Sequence, residues 1–427
     1  NMSNAYFKVP QPINEPVKAY KPSSPEREEL KKKLTELKSK QIEVPLIIGG
    51  EEVRTGNTEK MVIPHNHCHV LGIYHKAGKK EVDMAVEVAL EARKEWAEMP
   101  WEHRASVFLK IADLLAGPWR STINAATMLG QSKTAYQAEI DSAAELVDFY
   151  RYNCYFMAQL MQDQPYSGSG MWNRLEYRPL EGYIFAITPF NFTSIAGNLP
   201  TAPAIVGNVS LWKPASSAVY SAYWLMKLFE EAGLPKGVIN FVPGSGGQVG
   251  TPAMTNPNLA GVHFTGSTEV FQNMWKTISD NLKNMKYYPR IVGETGGKDF
   301  IFVHNSADVD ALVVAALRGA FEYQGQKCSA ASRMYIPKSL WKEFKEKYVA
   351  EVGKIKMGDV EDFTNFMGAV IDKGAFKSIT EYIKYAKDSN EAEIITGGNF
   401  DDSKGYFIEP TTIVTTNPKF KSMEEEI

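Results

Sequence analysis

The hexapeptide GQKCSA, Gly325 to Ala330, sets a single thiol, Cys328, directly after a lysine in a chain with only three cysteines. A thiol of ordinary pKa is mostly protonated at neutral pH, so a nucleophilic cysteine needs positive surroundings or a nearby base. Lys327 is adjacent, but no histidine lies within twenty residues on either side. The helix expected before Cys328 ends there and so offers no N-terminal dipole. From its neighbours alone, Cys328 is equally a reagent or a core residue. VGETGGKDF places Glu294 at a strand end beside two glycines, where desolvation would raise a carboxyl pKa toward that of a general base. ITPFNFT places Asn191 just past another strand end, as a neutral amide able to donate to a developing oxyanion. Taken singly, Glu294 also suits a salt bridge and Asn191 a turn.

Two segments suggest phosphate or ribose contacts. No Gly-x-Gly-x-x-Gly follows an expected strand, and PGSGGQVG is only a loose glycine cluster. HFTGSTEVF instead runs strand, Gly266, Ser267, Thr268, helix, so backbone N–H groups at a helix start can receive a pyrophosphate. LWKPAS ends a strand with Lys213, which by itself also reads as surface charge.

These groups need elements to hold them. At 427 residues the chain exceeds one ordinary core, and 44% hydrophobic against 23% charged residues is a globular balance. A net charge of −3 and a pI near 6.3 give no footprint for nucleic acid or an anionic membrane, and no apolar run is long enough for a span. Cys68, Cys154 and Cys328 are odd in number and far apart, so a reducing compartment is expected rather than a disulfide framework. Cys154, among Tyr152, Tyr155 and Phe156, reads as packed and inert.

The first residues, rich in proline, read as an extended arm, followed by a helix opening at Ser24 and Pro25 with a solvated charged face. Segments from KKEVDMAVEVAL to YFMAQLM are mostly helical. SGSGMWNRLEYRP reads as a strand standing away from the body, a pairing edge for another subunit. From Gly182 to Glu294, strands YIFAIT, VSLWKP, VINFVP, GVHFTG and RIVGE alternate with helices, which implies a parallel sheet with nucleotide contacts at its carboxyl ends. A second α/β run follows. The expected fold is therefore α/β: a Rossmann-like parallel-sheet domain over 41–164 and 180–293, an arm and helix over 1–40, an oligomerisation β-hairpin at 165–179, and a second α/β catalytic domain at 294–427.

In this order ITPFNFT, LWKPAS, HFTGSTEVF, VGETGGKDF, GQKCSA and the closing EEEI resemble the aldehyde dehydrogenases, and the likeness runs from about Lys40 to the last residue. Within that superfamily, FEYQGQKCSAASRMYIP, AEIDSAAELVDFYRYN and LEGYIFAITPFNFTSIAGNLP look most like the branch acting on L-glutamate 5-semialdehyde, the opened form of 1-pyrroline-5-carboxylate. The resemblance implies that Cys328 adds to the aldehyde carbon while Asn191 and the Cys328 N–H hold the oxyanion. A hydride then passes to the nicotinamide, and Glu294 activates water against the thioester. No histidine is needed, because the departing hydride requires no protonated leaving group. It further implies Thr188 and Lys213 near the nicotinamide-side phosphate and adenine ribose, the backbone of Gly266, Ser267, Thr268, Glu269 and Val270 around the pyrophosphate, and Glu426 on the nicotinamide ribose. Phe192, Lys327 and Ser329 are expected at the substrate pocket.

NAD is the cofactor expected, although Ser216 stands where many NAD-preferring relatives carry a glutamate, which leaves NADP open. Expected partners are a small aldehyde and further copies of the chain in a homodimer or higher oligomer, with no nucleic acid and no membrane. The mitochondrial matrix is the expected compartment, or the cytoplasm for a bacterial source, and any targeting peptide is taken as already removed. In the family SMEEEI continues with Phe-Gly-Pro and a further stretch completing the catalytic domain. A polypeptide stopping there is expected to be insoluble or inactive alone. The competing readings are a dehydrogenase of another semialdehyde, such as succinate semialdehyde, and a non-catalytic relative with a binding role. PHNHCHV aligns His65, His67 and His69 on one strand face, but water is their expected partner and no metal site is expected.

Overall fold

Seven strands form the main sheet of the computed structural model, which describes residues 5–427. Across the sheet their order is Arg290–Glu294, Leu259–Thr265, Tyr183–Ile187, Ser210–Lys213, Ile239–Phe241, Leu46–Ile48 and Glu51–Val53. The first five are parallel and match the five apolar runs expected between Gly182 and Glu294. The last two add antiparallel at the far edge.

Tyr183–Ile187 comes first in sequence among the parallel strands and lies inside the sheet. From it the chain steps outward to 210–213 and 239–241, then crosses back to 259–265 and 290–294 on the other side. The order reverses between 183–187 and 259–265, and such a switch point opens a crevice at the carboxyl ends of the strands. Asn191, Gly266, Lys213 and Glu294 all lie at or just past those ends.

Helices cover the faces as their periodicity predicts. In Lys79–Glu98, Val82, Ala85, Val86 and Ala89 are buried on one stripe. Val219–Ala232 ends at Gly233, which takes a left-handed conformation. A third sheet element is not visible as such in the sequence: Ile42–Val44, Asn66–His75 and Thr58–Ile63 form a small three-stranded sheet.

The N-terminal arm is extended, as expected, but it is clamped rather than merely laid over the surface. Glu15 accepts from Arg120 (2.6 Å) and Arg151 (2.7 Å), and Tyr20 donates to Glu139 (2.6 Å), which Arg120 also binds. Ser24 does stand at the N-cap of helix Pro25–Lys38, yet its buried hydroxyl caps nothing. The charged face is solvated, while Leu30, Leu34 and Leu37 turn inward.

The hairpin expected at 165–179 makes no strand ladder. Side chains satisfy its backbone instead: Gln164 bonds both N–H and carbonyl of Leu175, and the Ser167 hydroxyl accepts from the Asn173 N–H. An isolated ribbon without a third strand is marginal in water, and here Tyr166, Met171, Trp172 and Leu175 stay exposed.

After residue 294 the strands are short and pair in twos: Phe300–Phe302 with Arg333–Tyr335, Ala392–Thr396 with Thr412–Thr415, and Phe400–Asp401 with Phe407–Ile408. Their apolar side chains gather in two clusters, Val303 to Met367 and Val370 to Ile408, separate from the large cluster beneath the main sheet. Among the described residues no helix is long and apolar enough to cross a membrane.

Candidate active site

Cys328 and Glu294 meet, although thirty-four positions separate them. The Cys328 Sγ donates to Glu294 Oε1 at 3.5 Å. Burial raises the thiol pKa first, and the Glu294 charge and hydrogen bond raise it further, while the backbone N–H groups of Ser329 and Cys328 pull it down. Lys327 supplies none of the positive surroundings its sequence position suggests. Its ammonium turns away to Gln137 Oε1 (2.7 Å) and Asp141 (3.3 Å). Glu294 is exposed rather than desolvated, because its strand is the outermost of the sheet and lacks a covering layer.

The loop carrying the thiol is strained. Tyr323, Gln324 and Gly325 have φ of 49°, 56° and 70°, and a non-glycine residue held there costs on the order of 1–3 kcal/mol. Buried and partly buried hydrogen bonds hold the turn: Tyr323 Oη to the Gln131 carbonyl (2.7 Å), Gln324 Nε2 to the Ala369 carbonyl (2.7 Å), and the Gly368 N–H to Gln324 Oε1 (3.0 Å). Gly297 is required for a different reason, since a Cβ there would lie 2.6 Å from the Cys328 carbonyl oxygen. The glutamate-bearing strand end and the cysteine loop thus come together because GG leaves no side chain between them. Neighbouring Gly296 leaves its space to the Glu426 carboxylate, so Glu426 does join the group.

Asn191 enters through Gln326. Its Nδ2 donates to the Gln326 carbonyl (3.0 Å), while its buried Oδ1 has no partner among the described residues. An amide nitrogen carries two N–H groups, so one fixes the plane and one remains to donate. Phe192 lies under two ammonium groups, Lys133 at 4.5 Å and Lys327 at 5.7 Å from its ring centre. Ser329 is exposed beside the thiol.

The carboxyl-end crevice fits a dinucleotide. Lys213 is buried, hydrogen-bonds among the described residues only to the Pro214 carbonyl (3.3 Å), and is pushed down to about 8 by desolvation. A buried cation with no counter-anion among the described residues suits a ligand rich in phosphate or hydroxyl groups. The buried Thr188 hydroxyl accepts from Trp212 Nε1 (2.9 Å) and keeps its own proton to donate. Ser267 caps helix Thr268–Asp280 by accepting from the Val270 N–H, which leaves the N–H groups of Thr268 and Glu269 with no intrahelical acceptor. Two expected donors are thus engaged: the Val270 N–H on Ser267, and the Gly266 N–H, which returns to the Glu294 carbonyl (3.2 Å).

The other candidate groups separate from the site. Cys154 is fully buried and its thiol is pushed up to about 12 by burial, which makes it inert as expected. The three histidines each meet a different protein partner: His65 binds Ser132 and Asp359, His67 the Asp402 carbonyl, His69 the Lys38 carbonyl. Sequence reasoning missed Lys133, Asp141, Glu145 and Ser194, a buried polar cluster behind Phe192. Burial raises the Glu145 pKa, and Ser194 donates to its carboxylate (2.7 Å). The available signal was the run of polar residues in KTAYQAEIDSAAE inside an otherwise apolar helical stretch.

Comparison with known proteins gives the family. Residues 53–427 match the aldehyde dehydrogenase family. The chain is 51% identical over 422 residues to the mitochondrial delta-1-pyrroline-5-carboxylate dehydrogenase of Dictyostelium discoideum, covering 98% of this chain and 76% of that one. It is 50% identical to the Agaricus bisporus delta-1-pyrroline-5-carboxylate dehydrogenase, covering 99% and 78%. The crystal structure of the Mycobacterium tuberculosis delta-pyrroline-5-carboxylate dehydrogenase bound with NAD superposes with a TM-score of 0.96 at 49% identity, over 98% of this chain and 78% of that one. The chain belongs to the aldehyde dehydrogenase family.

Proposed function

We propose that this protein oxidises L-glutamate 5-semialdehyde, formed by opening of 1-pyrroline-5-carboxylate, to L-glutamate with NAD. The observation that carries the reading is the Cys328 thiol held at 3.5 Å from the Glu294 carboxylate, in the crevice that Lys213 and the Thr268 helix start make fit for a dinucleotide. The names of relatives at about half identity over nearly the whole chain support the substrate.

Glu294 takes the Cys328 proton, and the thiolate adds to the aldehyde carbon. The oxyanion receives the Cys328 backbone N–H and the free N–H of Asn191. NAD would be held by Thr188, Lys213, the Thr268–Glu269 N–H groups and Glu426, and when bound it would supply the acceptor for the hydride that the tetrahedral carbon loses. The protein is left as a Cys328 thioester. Glu294, exposed at its strand tip, first gives the thiol's proton to solvent and then, as a carboxylate again, removes a proton from water as the water attacks the thioester carbon. The proton Glu294 gains from water returns to the departing sulfur, so one aldehyde and one water become one carboxylic acid as one hydride and one proton leave, the proton to solvent.

Phe192, Lys327 and Ser329 border the nucleophile, with Lys327 reaching it through its backbone rather than its ammonium. The exposed Tyr166, Met171, Trp172 and Leu175 support self-association through 165–179. The mitochondrial matrix is the compartment this reading favours, following the relative's name. The test is NADH formation from pyrroline carboxylate by the full-length protein, compared with Cys328→Ala and with succinate semialdehyde as substrate. Equal turnover by the alanine variant, or a preference for succinate semialdehyde, contradicts the assignment.

A further inference from the structure

Residues Glu139–Ala144 form a π-helix, a one-residue widening of the helical turn that often marks functional positions. It separates two buried networks. Glu139 faces the N-terminal arm and Arg120, whereas Asp141, 4% exposed, faces the nucleophile loop. Asp141 Oδ2 accepts from Lys133 Nζ at 2.7 Å and lies 3.3 Å from Lys327 Nζ. Lys133 has no exposed surface, and its ammonium lies over the rings of Phe192 (4.5 Å) and Tyr323 (4.4 Å). Lys327 also donates to Gln137 (2.7 Å), four residues before Asp141, and Glu322 stands 3.9 Å away.

The sequence neighbours of these partners give the cluster its meaning. Lys327 precedes Cys328, and Phe192 follows Asn191. Asn191 extends from the main sheet, while Cys328 sits beyond it on a loop of the second α/β run. The direct bond between them is the Asn191 amide to the Gln326 carbonyl. We propose that Asp141 is a positioning residue: through Lys327 on one side and through Lys133 and Phe192 on the other, one buried carboxylate sets the register between the nucleophile and the oxyanion-binding amide.

A fully buried ammonium, Lys133, and a partly buried one, Lys327, are served by the same anion, and a surface ion pair would not hold them at fixed places. The hydrogen bonds of Tyr323 and Gln324 fix the loop upstream. Between Gly325 and Cys328, the Lys327–Asp141 and Lys327–Gln137 contacts are the side-chain ties to the helix behind it.

This inference rests on reading Cys328 and Asn191 as the reacting pair. The experiment compares wild type, Asp141→Asn, Lys327→Gln and the double variant of the full-length protein. Its readouts are kcat, KM and the rate of Cys328 alkylation by iodoacetamide without cofactor. The two substitutions change local charge in opposite senses, so an electrostatic role moves their effects in opposite directions. A positioning role moves them together. Each single variant is expected to lose about tenfold in kcat with KM within about threefold, since small misplacements of reacting groups cost rate rather than binding. Alkylation should be several-fold faster in both, as a looser loop relieves the burial of the sulfur. The double variant should be no slower than the worse single variant, because the residues act as one unit.

Wild-type rates in either single variant, effects of opposite sign, or additive losses in the double variant overturn the proposal. If Asp141→Asn fails to fold, Lys327→Gln, at a partly exposed position, still decides between lost and retained kcat. A wild type that turns over no aldehyde refutes the functional reading instead, while the alkylation rates still test the clasp.

Discussion

The Cys328 sulfur donates its proton toward Glu294 Oε1 across 3.5 Å, with no cation taking part. In this site the base, and not a lysine, manages the thiol. The carboxylate charge makes the thiolate harder to form until the proton itself moves to that carboxylate.

Replacing Glu294 by glutamine therefore has two opposite effects. Removing the charge lowers the thiol pKa, so iodoacetamide should label Cys328 several-fold faster near neutral pH than in the wild type. Aldehyde turnover should fall by about 10²-fold or more, because no base remains for hydrolysis. Slower labelling in Glu294→Gln would show that the carboxylate does not govern the thiol.

Lys213 is the counterpart on the cofactor side. Its pKa is about 8 in the folded chain against an ordinary 10.5, so the folded state resists protonating it. The penalty is complete below about pH 8 and disappears as pH rises toward 10.5. Lys213→Met is expected to stabilise the protein at pH 7 by up to roughly 3 kcal/mol, read as a higher urea midpoint, with the gain shrinking in alkali. The same variant should bind NAD weakly by calorimetry. A destabilised Lys213→Met with unchanged NAD affinity would refute the assignment.

Glu139 has the reverse behaviour. Burial alone would raise its pKa, but hydrogen bonds from Arg120, Tyr20 and the Lys18 backbone outweigh burial and hold it below 4.5. Its contribution is present above that value and is lost as pH falls through the lower folded-state value. Glu139→Gln should cost about 3 kcal/mol at pH 7, as expected for breaking a buried pair, and the gap from wild type should narrow in acid. Urea midpoints across that range provide the check.

Tyr323→Phe removes the buried bond to Gln131 from a turn that is already strained. A loss of about 1–2 kcal/mol is expected in urea unfolding, together with faster Cys328 alkylation as the loop relaxes. A variant as stable and as slowly labelled as wild type would show that the turn is held elsewhere.

The parallel strands were legible because each is a short apolar run between turn residues, buried on both faces. Cys328, Glu294 and Asn191 were legible through the order of their segments. The Lys133–Asp141–Lys327 contact was not, because it joins residues eight and 186 positions apart through a widened helical turn that shifts every side chain after it. Desolvation of Glu294 was expected from its glycine neighbours, yet exposure depends on which strand lies at the sheet edge, and topology decides that. The ribbon at 165–179 makes no ladder within the single chain for a similar reason: a strand needs a partner, and local pattern does not supply one.

The outermost position of Arg290–Glu294 gives the two acid–base events of the proposed cycle a common mechanical basis. Asn191 follows a strand flanked by neighbours on both sides, so its amide is a stationary post. Glu294 ends a strand stitched along one side alone, so its carboxylate is a hinged arm, able to serve the sulfur first and the incoming water afterwards.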